Sequence, residues 1–330
     1  MRRWTVRGGV LAMDEAAVPV PGPGEVRVAM KAAAINARDI GIQAGFYPST
    51  AGVLALSDGA GVVEALGEGV TEWAVGDAVV TCFYPYWESG PANALNHRAS
   101  LGCEVDGVLA EHVIVQASGL VAKPRTLDLA EAATLPCAAL TAWTALFTEG
   151  QLKPGQHVLI QGTGGVASFA LMFAKLAGAE VTVISSSDTR LEQARAMGAD
   201  HGINYATTPD WEAPVLAQTG GRGVDLVIEL GGAATLTKST MCVAVGGRIC
   251  VIGLLGGPVA TFPVVNLLAR HIAINGITVG HREDFRAMNA AIDAAGLKPM
   301  IAARFGFGEA DAAYATLAAG GQFGKVVVEF

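Results

Sequence analysis

The chain has 330 residues, enough for two domains with substantial hydrophobic cores. Charged residues make up 16% of it and hydrophobic residues 52%, a composition typical of a packed α/β enzyme and unlike a disordered or fibrous protein. The net charge of −8 is not offset by any basic cluster, which argues against nucleic acid as the main partner.

Five cysteines are scattered along the chain, odd in number and without C-x-x-C spacing. They are typical of reduced thiols, so we predict a cytoplasmic location. The stretch from Ile249 to Ala269 is uncharged and as long as a membrane span, but glycines and prolines interrupt it. We therefore predict a buried strand followed by a loop, and no membrane association.

The first 120 residues carry the signals of a β-rich domain, with short β-branched and aliphatic runs separated by glycine and proline turns. The strands predicted there are Glu25–Met30, Gly59–Ala65, Asp77–Thr81 and Glu111–Val115. Helical periodicity begins near residues 126–142 and indicates a change of domain.

From Gly155 onward strands and helices alternate, which predicts right-handed crossovers and a parallel sheet with helices on both faces. The predicted strands are His157–Gln161, Val181–Ser185, Val224–Leu230, Arg248–Leu254 and Ile272–Val279. The predicted helices are Val166–Ala177, Leu191–Met197, Trp211–Thr219 and Leu236–Val243. A helix at Phe285–Ala295 and a strand at Lys325–Glu329 then return to the first domain. We predict a β-rich domain of residues 1–125 plus 281–330 and a doubly wound α/β domain of residues 126–280.

A glycine-rich turn follows the first strand of the α/β domain and leads directly into a helix. Its residues are Gly162, Thr163, Gly164, Gly165 and Val166. Glycines allow a sharp turn and a close approach of backbone to phosphate, and the N-terminus of the next helix attracts an anion. The context therefore predicts a site for the pyrophosphate of a dinucleotide.

Several stretches along the whole chain resemble the medium-chain dehydrogenase/reductase superfamily. They are Gly24–Val28, Asn36–Asp39, Ser57–Gly61, Val75–Asp77, Ala132–Pro136, Gly162–Val166, Met197–Asp200 and Gly324–Val327. The branch that the chain resembles most is that of the zinc-free quinone oxidoreductases and their alcohol-dehydrogenase-like relatives. This resemblance implies a GroES-like substrate domain, a Rossmann domain and a nicotinamide cofactor.

The resemblance also locates the positions at which zinc members of the family bind their catalytic metal with two cysteines and a histidine. Those positions hold Asn36, Ser57 and Cys137 here. One thiolate without an imidazole cannot hold tetrahedral zinc, and Cys82 and Cys103 do not form the four-cysteine lobe of a structural zinc site. We therefore expect no metal.

The second strand of the α/β domain ends in serines where NAD-preferring enzymes place an acidic residue. Ser185 and Ser186 leave room for a 2′-phosphate, and Arg190 can pair with it. The resemblance adds Tyr205. Asp188 would repel the phosphate if it turned inward, although a helix N-cap is the favoured role. We predict NADPH, with NADH possible.

The loop Gly253, Leu254 and Leu255 follows the fourth predicted strand of the α/β domain, and its glycines allow close backbone contact. We expect it to pass under the nicotinamide end of the cofactor, with a simple loop as the alternative. Lys325 joins the predicted cofactor-binding set.

Three polar residues are candidates for the reacting centre. Asn36 can donate to a substrate oxygen or orient a ribose, or it can be an ordinary turn amide. Asp39 can act through a hydrogen bond to the cofactor or a water, or form a salt bridge with Arg38 or another cation. Thr141 matches a family threonine near the nicotinamide, or it can bond back to a helix carbonyl. The predicted substrate pocket consists of Tyr47, Ser57, Tyr84, Tyr86 and Trp87, with packing as the alternative for its aromatic side chains.

Hydride addition to an enone or a quinone gives a delocalised anion, whereas a simple ketone gives a localised alkoxide that needs a stronger electrophile. A metal-free site therefore favours NADPH-dependent reduction of small-molecule α,β-unsaturated carbonyls or quinones. Two alternatives stay open: a zinc-independent alcohol dehydrogenase or ketone reductase, and a non-catalytic NADPH-binding protein. Ile272–Val279 resembles the edge strand through which members of the family pair their sheets, and an exposed apolar edge needs covering, so we predict a homodimer across it.

Overall fold

The computed structural model describes residues 1–330. The strands are β1 (Arg2–Arg7), β2 (Val10–Glu15), β3 (Glu25–Ile35), β4 (Asp58–Leu66), β5 (Ala78–Thr81), β6 (His112–Gln116), β7 (Leu120–Ala122), β8 (His157–Gln161), β9 (Glu180–Ser185), β10 (His201–Asn204), β11 (Val224–Glu229), β12 (Val243–Val251), β13 (Ala273–Gly276), β14 (Ile301–Gly306) and β15 (Lys325–Glu329). The α-helices are α1 (Ala37–Gln43), α2 (Leu129–Ala132), α3 (Leu140–Trp143), α4 (Gly165–Leu176), α5 (Asp188–Ala196), α6 (Glu212–Gln218), α7 (Leu236–Cys242), α8 (Val264–Arg270), α9 (Arg282–Ala295) and α10 (Ala310–Ala319). Two π-helical segments, Leu135–Ala139 and Thr144–Thr148, flank α3.

The chain forms two compact units. The first, which we call the outer unit, comprises residues 1–140 and 279–330, and the second, the inserted unit, comprises residues 141–278. The sequence placed residues 126–140 with the α/β domain because helical periodicity begins there. In the structure α2 packs on β3 and β4 of the outer unit instead, and the π-helical segment that follows it packs on β4 and β5. The change from strand to helix therefore precedes the boundary between the units.

The outer unit is built on a seven-stranded sheet in the order β14-β15-β3-β4-β5-β7, with β6 also paired to β3. All of its pairings are antiparallel except that of β14 with β15. The register between β15 and β3 sets Val326 opposite Ile35, and this pairing brings the end of the chain to Asn36. The strand β15 therefore lies between β14 and β3 and carries Lys325 to Asn36.

The inserted unit contains a six-stranded, entirely parallel sheet in the order β10-β9-β8-β11-β12-β13. This is the order of a doubly wound dinucleotide-binding fold, in which the direction of winding reverses between β8 and β11. Every residue of β8 is buried, as expected for a central parallel strand covered on both faces. Ligands of such folds lie at this reversal, beyond the carboxyl ends of the strands.

The predicted α/β alternation is confirmed, and the predicted limits of β8 and β15 match the structure. The strand predicted at Arg248–Leu254 was misplaced, since β12 begins at Val243 and ends at Val251. Beyond β12 the chain turns at Gly253–Gly257 and forms α8, which no pattern had indicated. No helix in the structure has the length and apolar character needed to cross a membrane.

Candidate active site

The glycine-rich turn lies at the carboxyl end of β8, where the doubly wound sheet reverses direction. Gly162 has φ of +79°, a backbone conformation that would be strained for a residue with a side chain. Gly164 is the N-cap residue of α4, and no side chain caps the N–H groups of this helix. A Cβ atom at either glycine would meet nothing within 4 Å. Thr163 between them is buried, and Gly165 and Val166 begin the helix. The open space above an uncapped helix N-terminus fits a pyrophosphate group.

The residues predicted to recognise a 2′-phosphate come together at the carboxyl end of β9. The Arg190 guanidinium donates to the hydroxyls of Ser185 and Ser186 at 3.4 Å and 2.9 Å. The backbone N–H of Tyr205 donates to the Ser185 carbonyl at 3.0 Å, and the Tyr205 side chain is exposed. An arginine held beside two hydroxyls is a suitable arrangement for binding a phosphate.

Asp188 does not disturb this group. Its carboxylate accepts a hydrogen bond from the Asn204 side chain at 2.9 Å. The N-cap role predicted for Asp188 was wrong, because Ser187 caps α5 and accepts from the Arg190 N–H. Asp188 occupies the first turn of the helix, where a negative charge is favourable.

The loop predicted to lie under the nicotinamide follows β12. Leu254 and Leu255 are 54% and 82% exposed, which leaves both side chains accessible. The backbone of the loop is fixed to the end of β11, because the Gly253 N–H donates to the Glu229 carbonyl at 3.2 Å and the Gly256 N–H to the Gly231 carbonyl at 2.7 Å.

The outer unit contains a second polar site, which we call the buried charge cluster, formed by Asn36, Asp39, Ser57, Asp58 and Lys325. The Lys325 ammonium donates to the Ile35 carbonyl at 2.9 Å and to Asn36 Oδ1 at 2.5 Å, and it lies 3.7 Å from Asp58 Oδ2. Ser57 donates to Asp58 Oδ1 at 2.7 Å, and the Cys137 backbone N–H donates to Asp58 Oδ2 at 3.1 Å.

Lys325 was predicted to bind cofactor, but the structure assigns its ammonium to this cluster. The side chain is 2% exposed, two of its three N–H donors are used by the Ile35 carbonyl and the Asn36 amide oxygen, and Asp58 lies 3.7 Å away. Ser57 was predicted to line the substrate pocket, yet it is wholly buried and its hydroxyl is engaged by Asp58. Both residues therefore support the cluster from inside the fold.

Two polar atoms of the cluster make no hydrogen bond although they are buried, namely Asn36 Nδ2 and Asp39 Oδ1. The other atom of each side chain is engaged, since Asn36 Oδ1 accepts from Lys325 and Asp39 Oδ2 accepts from the Asn36 backbone N–H at 2.7 Å. Buried donors and acceptors are normally paired, and the exceptions are often functional. The cluster thus has one donor and one acceptor available for a ligand or for water.

Burial dominates the ionisation of both carboxylates. It raises the pKa of Asp58 against the lowering effects of the Lys325 charge, of the hydrogen bonds from Ser57 and the Cys137 N–H, and of the nearby Asn36 amide, whose nitrogen lies beyond hydrogen-bond distance. Burial also raises the pKa of Asp39 to about 6, although Arg38 and the Asn36 N–H lower it. Burial is the largest single influence on Arg38 and lowers its pKa, but Asp39 together with Cys137 and Cys103 outweighs it, so that the pKa is raised. Asp39 therefore titrates close to neutral pH.

We expect the buried Asp39 to make the protein more stable in mild acid. A carboxyl whose pKa is raised on folding stabilises the native state fully below its unfolded pKa, and this contribution, about 3 kcal/mol here, is lost as the pH rises through about 6. Roughly 1 kcal/mol of the loss falls between pH 5 and pH 7. Denaturant unfolding of the wild type and Asp39→Asn should show this difference in their pH dependence, and parallel profiles would contradict it.

The donor set of the cluster does not fit a zinc ion. The positions that the resemblance compares with metal ligands hold an amide, a hydroxyl and Cys137, and burial raises the pKa of the Cys137 thiol far above its usual range. The Lys325 ammonium stands among these groups and would repel a second cation. Nowhere do three or more His, Cys, Asp or Glu side chains form a group that could hold a metal ion.

The aromatic residues predicted for the substrate pocket pack on one another. Tyr84 stacks on His97 with ring centroids 4.2 Å apart, and Trp87 contacts Tyr84, His97 and His281 edge-on. These side chains form an aromatic cluster within the outer unit.

The remaining predicted site residues are Thr141, which lies in a helix, and the surface residues Tyr47 and Tyr86. Arg98 lies over the ring of Tyr86, and Tyr47 is half-exposed against Gly41 of α1. Thr141 is buried in α3 of the inserted unit. Their roles toward a substrate stay predictions.

Sequence reasoning missed a buried carboxylate at the reversal of the parallel sheet. Glu229 ends β11 and accepts a hydrogen bond from Gln161, which ends β8, at 2.7 Å. A glutamate at the end of a strand pattern resembles an ordinary solvated residue. The one available signal was its position directly before the Leu230–Gly231–Gly232 turn.

Two family models match the chain: the alcohol dehydrogenase GroES-like domain over residues 22–125 and the zinc-binding dehydrogenase model over residues 165–294. A zinc-type alcohol dehydrogenase-like protein of Schizosaccharomyces pombe is 44% identical over 316 residues, covering 93% of this chain and 91% of the relative. The crystal structure of an NAD-dependent alcohol dehydrogenase matches with a TM-score of 0.92 and 33% identity, covering all of both chains. The 2-octenoyl-CoA carboxylase reductase CinF, solved with NADP and 2-octenoyl-CoA, matches with a TM-score of 0.89 and 27% identity, covering 99% of this chain and 87% of that one.

A parallel doubly wound unit with an open glycine turn, combined with a GroES-like unit, defines a nicotinamide-dependent oxidoreductase. The chain belongs to the medium-chain dehydrogenase/reductase superfamily, as its motifs indicated, and it is alcohol dehydrogenase-like. The non-catalytic alternative is therefore set aside. The side chains of the buried charge cluster do not match the zinc ligands that the name of the zinc-binding dehydrogenase model implies.

Proposed function

We propose that this protein is an NADPH-dependent reductase that transfers hydride to α,β-unsaturated carbonyls or quinones without a metal. The observation that carries the proposal is the buried Asn36 amide, whose oxygen is held by Lys325 while its nitrogen makes no hydrogen bond. A neutral hydrogen-bond donor fixed in this way can stabilise a partial negative charge on a substrate oxygen. It is a weaker electrophile than a metal ion, so it suits a substrate that delocalises the charge.

The proton that completes the reduction has a source in the same cluster. Asp39 has one carboxylate oxygen without a partner, and its pKa of about 6 lets it exchange protons near neutral pH. We propose that Asp39 passes a proton, through water or a cofactor hydroxyl, to the reduced substrate. In this scheme Thr141 orients the nicotinamide, and Tyr47 and Tyr86 line the substrate pocket.

The second candidate is reduction of simple ketones or oxidation of alcohols. It is favoured by the similarity to an NAD-dependent alcohol dehydrogenase, whereas the similarity to a reductase solved with an enoyl thioester favours the first. The two are separated by following NADPH oxidation with a panel of enones, quinones and saturated ketones. Turnover of enones or quinones supports the proposal, and turnover confined to saturated ketones would reject it.

NADPH preference is proposed on the group formed by Ser185, Ser186, Arg190 and Tyr205. Arg190→Ala is expected to weaken NADPH binding on the order of thirtyfold, because a charge-assisted pair with the 2′-phosphate is lost, and to leave NADH binding within about threefold. Titration of protein fluorescence with each cofactor measures both. Arg195→Ala, in the last turn of the same helix, is the control and should change neither. Equal losses for both cofactors would remove Arg190 from phosphate recognition.

We also propose a homodimer formed by a second copy at the edge of the parallel sheet. β13 is an edge strand of the parallel sheet. The helix α8, which precedes β13 in the chain, has no buried residue, and its Val264, Val265 and Leu268 are exposed. The double variant Val265→Asp/Leu268→Asp is expected to be monomeric by light scattering, whereas Val20→Asp, at an exposed valine of the outer unit, should stay dimeric. A monomeric wild type would overturn this assignment.

A cytoplasmic location is part of the proposal. All five cysteines are free thiols, and four of them are buried, which suits a reducing compartment.

A further inference from the structure

The carboxylate of Glu229 is completely buried and has no cation beside it, yet it accepts five hydrogen bonds. Its Oε1 accepts from the Gly231 and Gly232 N–H groups, both at 3.0 Å, and from the Thr235 hydroxyl. Its Oε2 accepts from Gln161 Nε2 at 2.7 Å and from the Ser239 hydroxyl at 2.5 Å. A buried charge is tolerated only when hydrogen bonds replace its hydration, and this one is fully satisfied by them.

Those five donors belong to the elements that surround the reversal of the parallel sheet. Gln161 ends β8 immediately before the glycine-rich turn, and its side-chain oxygen accepts from the Leu230 and Gly231 N–H groups at 3.1 Å and 3.0 Å. Thr235 and Ser239 lie at the start of α7 and within it. Glu229 and Gln161 together therefore fix the ends of both central strands and the chain that leaves β11.

The same contacts extend to the loop after β12. The Ile252 N–H donates to the Glu229 carbonyl at 2.9 Å, and the Ala233 N–H donates to the Gly257 carbonyl at 3.1 Å. Gly232 has φ of +66°, and a Cβ there would lie 2.8 Å from the Gly257 carbonyl oxygen. The turn after β11 and the loop 253–257 thus touch backbone to backbone, and the carboxylate of Glu229 sets the position of the first of them.

We infer that Glu229 is a positioning residue for the nicotinamide half of the cofactor. By holding the turn at residues 231–235, it holds the loop 253–257 against the crevice beyond β8 and β11, where ligands of doubly wound folds lie. The adenosine half is recognised elsewhere, at the end of β9. The inference rests on the proposed function in one respect, that the nicotinamide extends along this loop.

An amide cannot replace this carboxylate without loss. Glutamine has one acceptor oxygen and one NH₂ group in place of the two carboxylate oxygens. The donors that now bond to one of those oxygens would therefore face the NH₂ group, which is itself a donor. Glu229→Gln either turns its NH₂ toward two glycine N–H groups or turns it toward the Gln161 amide and the Ser239 hydroxyl. In the first orientation the glycine N–H groups lose their acceptor, and in the second the Gln161 amide, whose oxygen also holds the turn, faces a donor. Either change weakens the hold on the turn and therefore on the loop 253–257.

The test compares two ligands on one variant: NADPH, and 2′-phospho-ADP-ribose, which lacks the nicotinamide. Glu229→Gln is expected to weaken NADPH binding on the order of tenfold or more, while the affinity for 2′-phospho-ADP-ribose stays within about a factor of two. The control is Asp225→Asn at the other end of β11, where Asp225 accepts from the His157 N–H at 2.8 Å and from Arg222 at 2.7 Å. This control should lower stability without changing the ratio of the two affinities.

The outcomes separate the inference from the function on which it rests. If Glu229→Gln weakens the binding of both ligands equally, or the binding of neither, the role assigned to Glu229 is overturned. A wild type that binds neither ligand would overturn the proposed function instead. If Glu229→Gln does not fold, Thr235→Val, which removes one donor to the same carboxylate oxygen, is measured in its place and should shift the ratio in the same direction.

Discussion

Replacement of Lys325 by methionine is expected to lower the free energy of unfolding by about 3–5 kcal/mol, because it leaves the fully buried Asp58 without its cation. The loss should be greatest at neutral pH and smaller in acid, since burial raises the pKa of Asp58 and lets it become neutral there. Denaturant unfolding at both pH values measures the effect.

The matched variant is Lys325→Met/Asp58→Asn, which removes both charges. It should recover most of the lost stability, because a neutral pair of similar volume no longer carries an uncompensated charge. If the double variant is as unstable as the single one, the stability comes from the packing of the lysine stem and the ion pair contributes little.

Replacement of Asn36 by alanine is expected to lower kcat on the order of a hundredfold, because it removes the donor proposed to stabilise charge on the substrate oxygen. KM should change much less, since that interaction strengthens as the charge develops. Steady-state kinetics with the best enone or quinone of the panel provides the measurement.

Asn289→Ala is a close control for this variant. Asn289 is the same residue type in the same unit, is also 8% exposed, and also has one engaged and one unpartnered side-chain atom. Its loss should lower stability and leave kcat nearly unchanged. A similar fall in kcat for both variants would mean that Asn36 acts through folding and not on the substrate.

The parts of the fold that the sequence predicted best are those whose burial is uniform. His157–Gln161 and Lys325–Glu329 are almost wholly buried runs bounded by glycine or charge, so their limits could be read directly. The short elements α8, β10 and β14 were not predicted. In α8 the apolar residues Val264, Val265 and Leu268 are exposed, so its hydrophobic pattern does not report burial. Exposure does alternate along β14, but Ala302 at an exposed position hides the alternation in the sequence, and β10 has only four residues.

The cofactor-binding turn could be predicted because its information is local. Glycine at positive φ, a buried strand before it and a helix after it all lie within about twenty residues. The buried charge cluster could be predicted only in part, since Lys325 and Asn36 are 289 positions apart and no local pattern reports such a pairing. Glu229 is a related case: its five partners lie on the end of a neighbouring strand and on the following turn and helix, and their convergence depends on the parallel pairing of β8 with β11.

The position of β15 between β14 and β3 of the outer unit has a consequence for biosynthesis. Residues 141–278 form a continuous insertion that can fold as soon as it has been synthesised, whereas the sheet that surrounds Asp58 needs the last six residues of the chain. Until those residues leave the ribosome, β3 has an open edge and a buried carboxylate has no counter-charge. A nascent chain stalled or truncated shortly before Lys325 would therefore present one finished unit and one unfinished unit, and quality-control proteases would be expected to recognise the second.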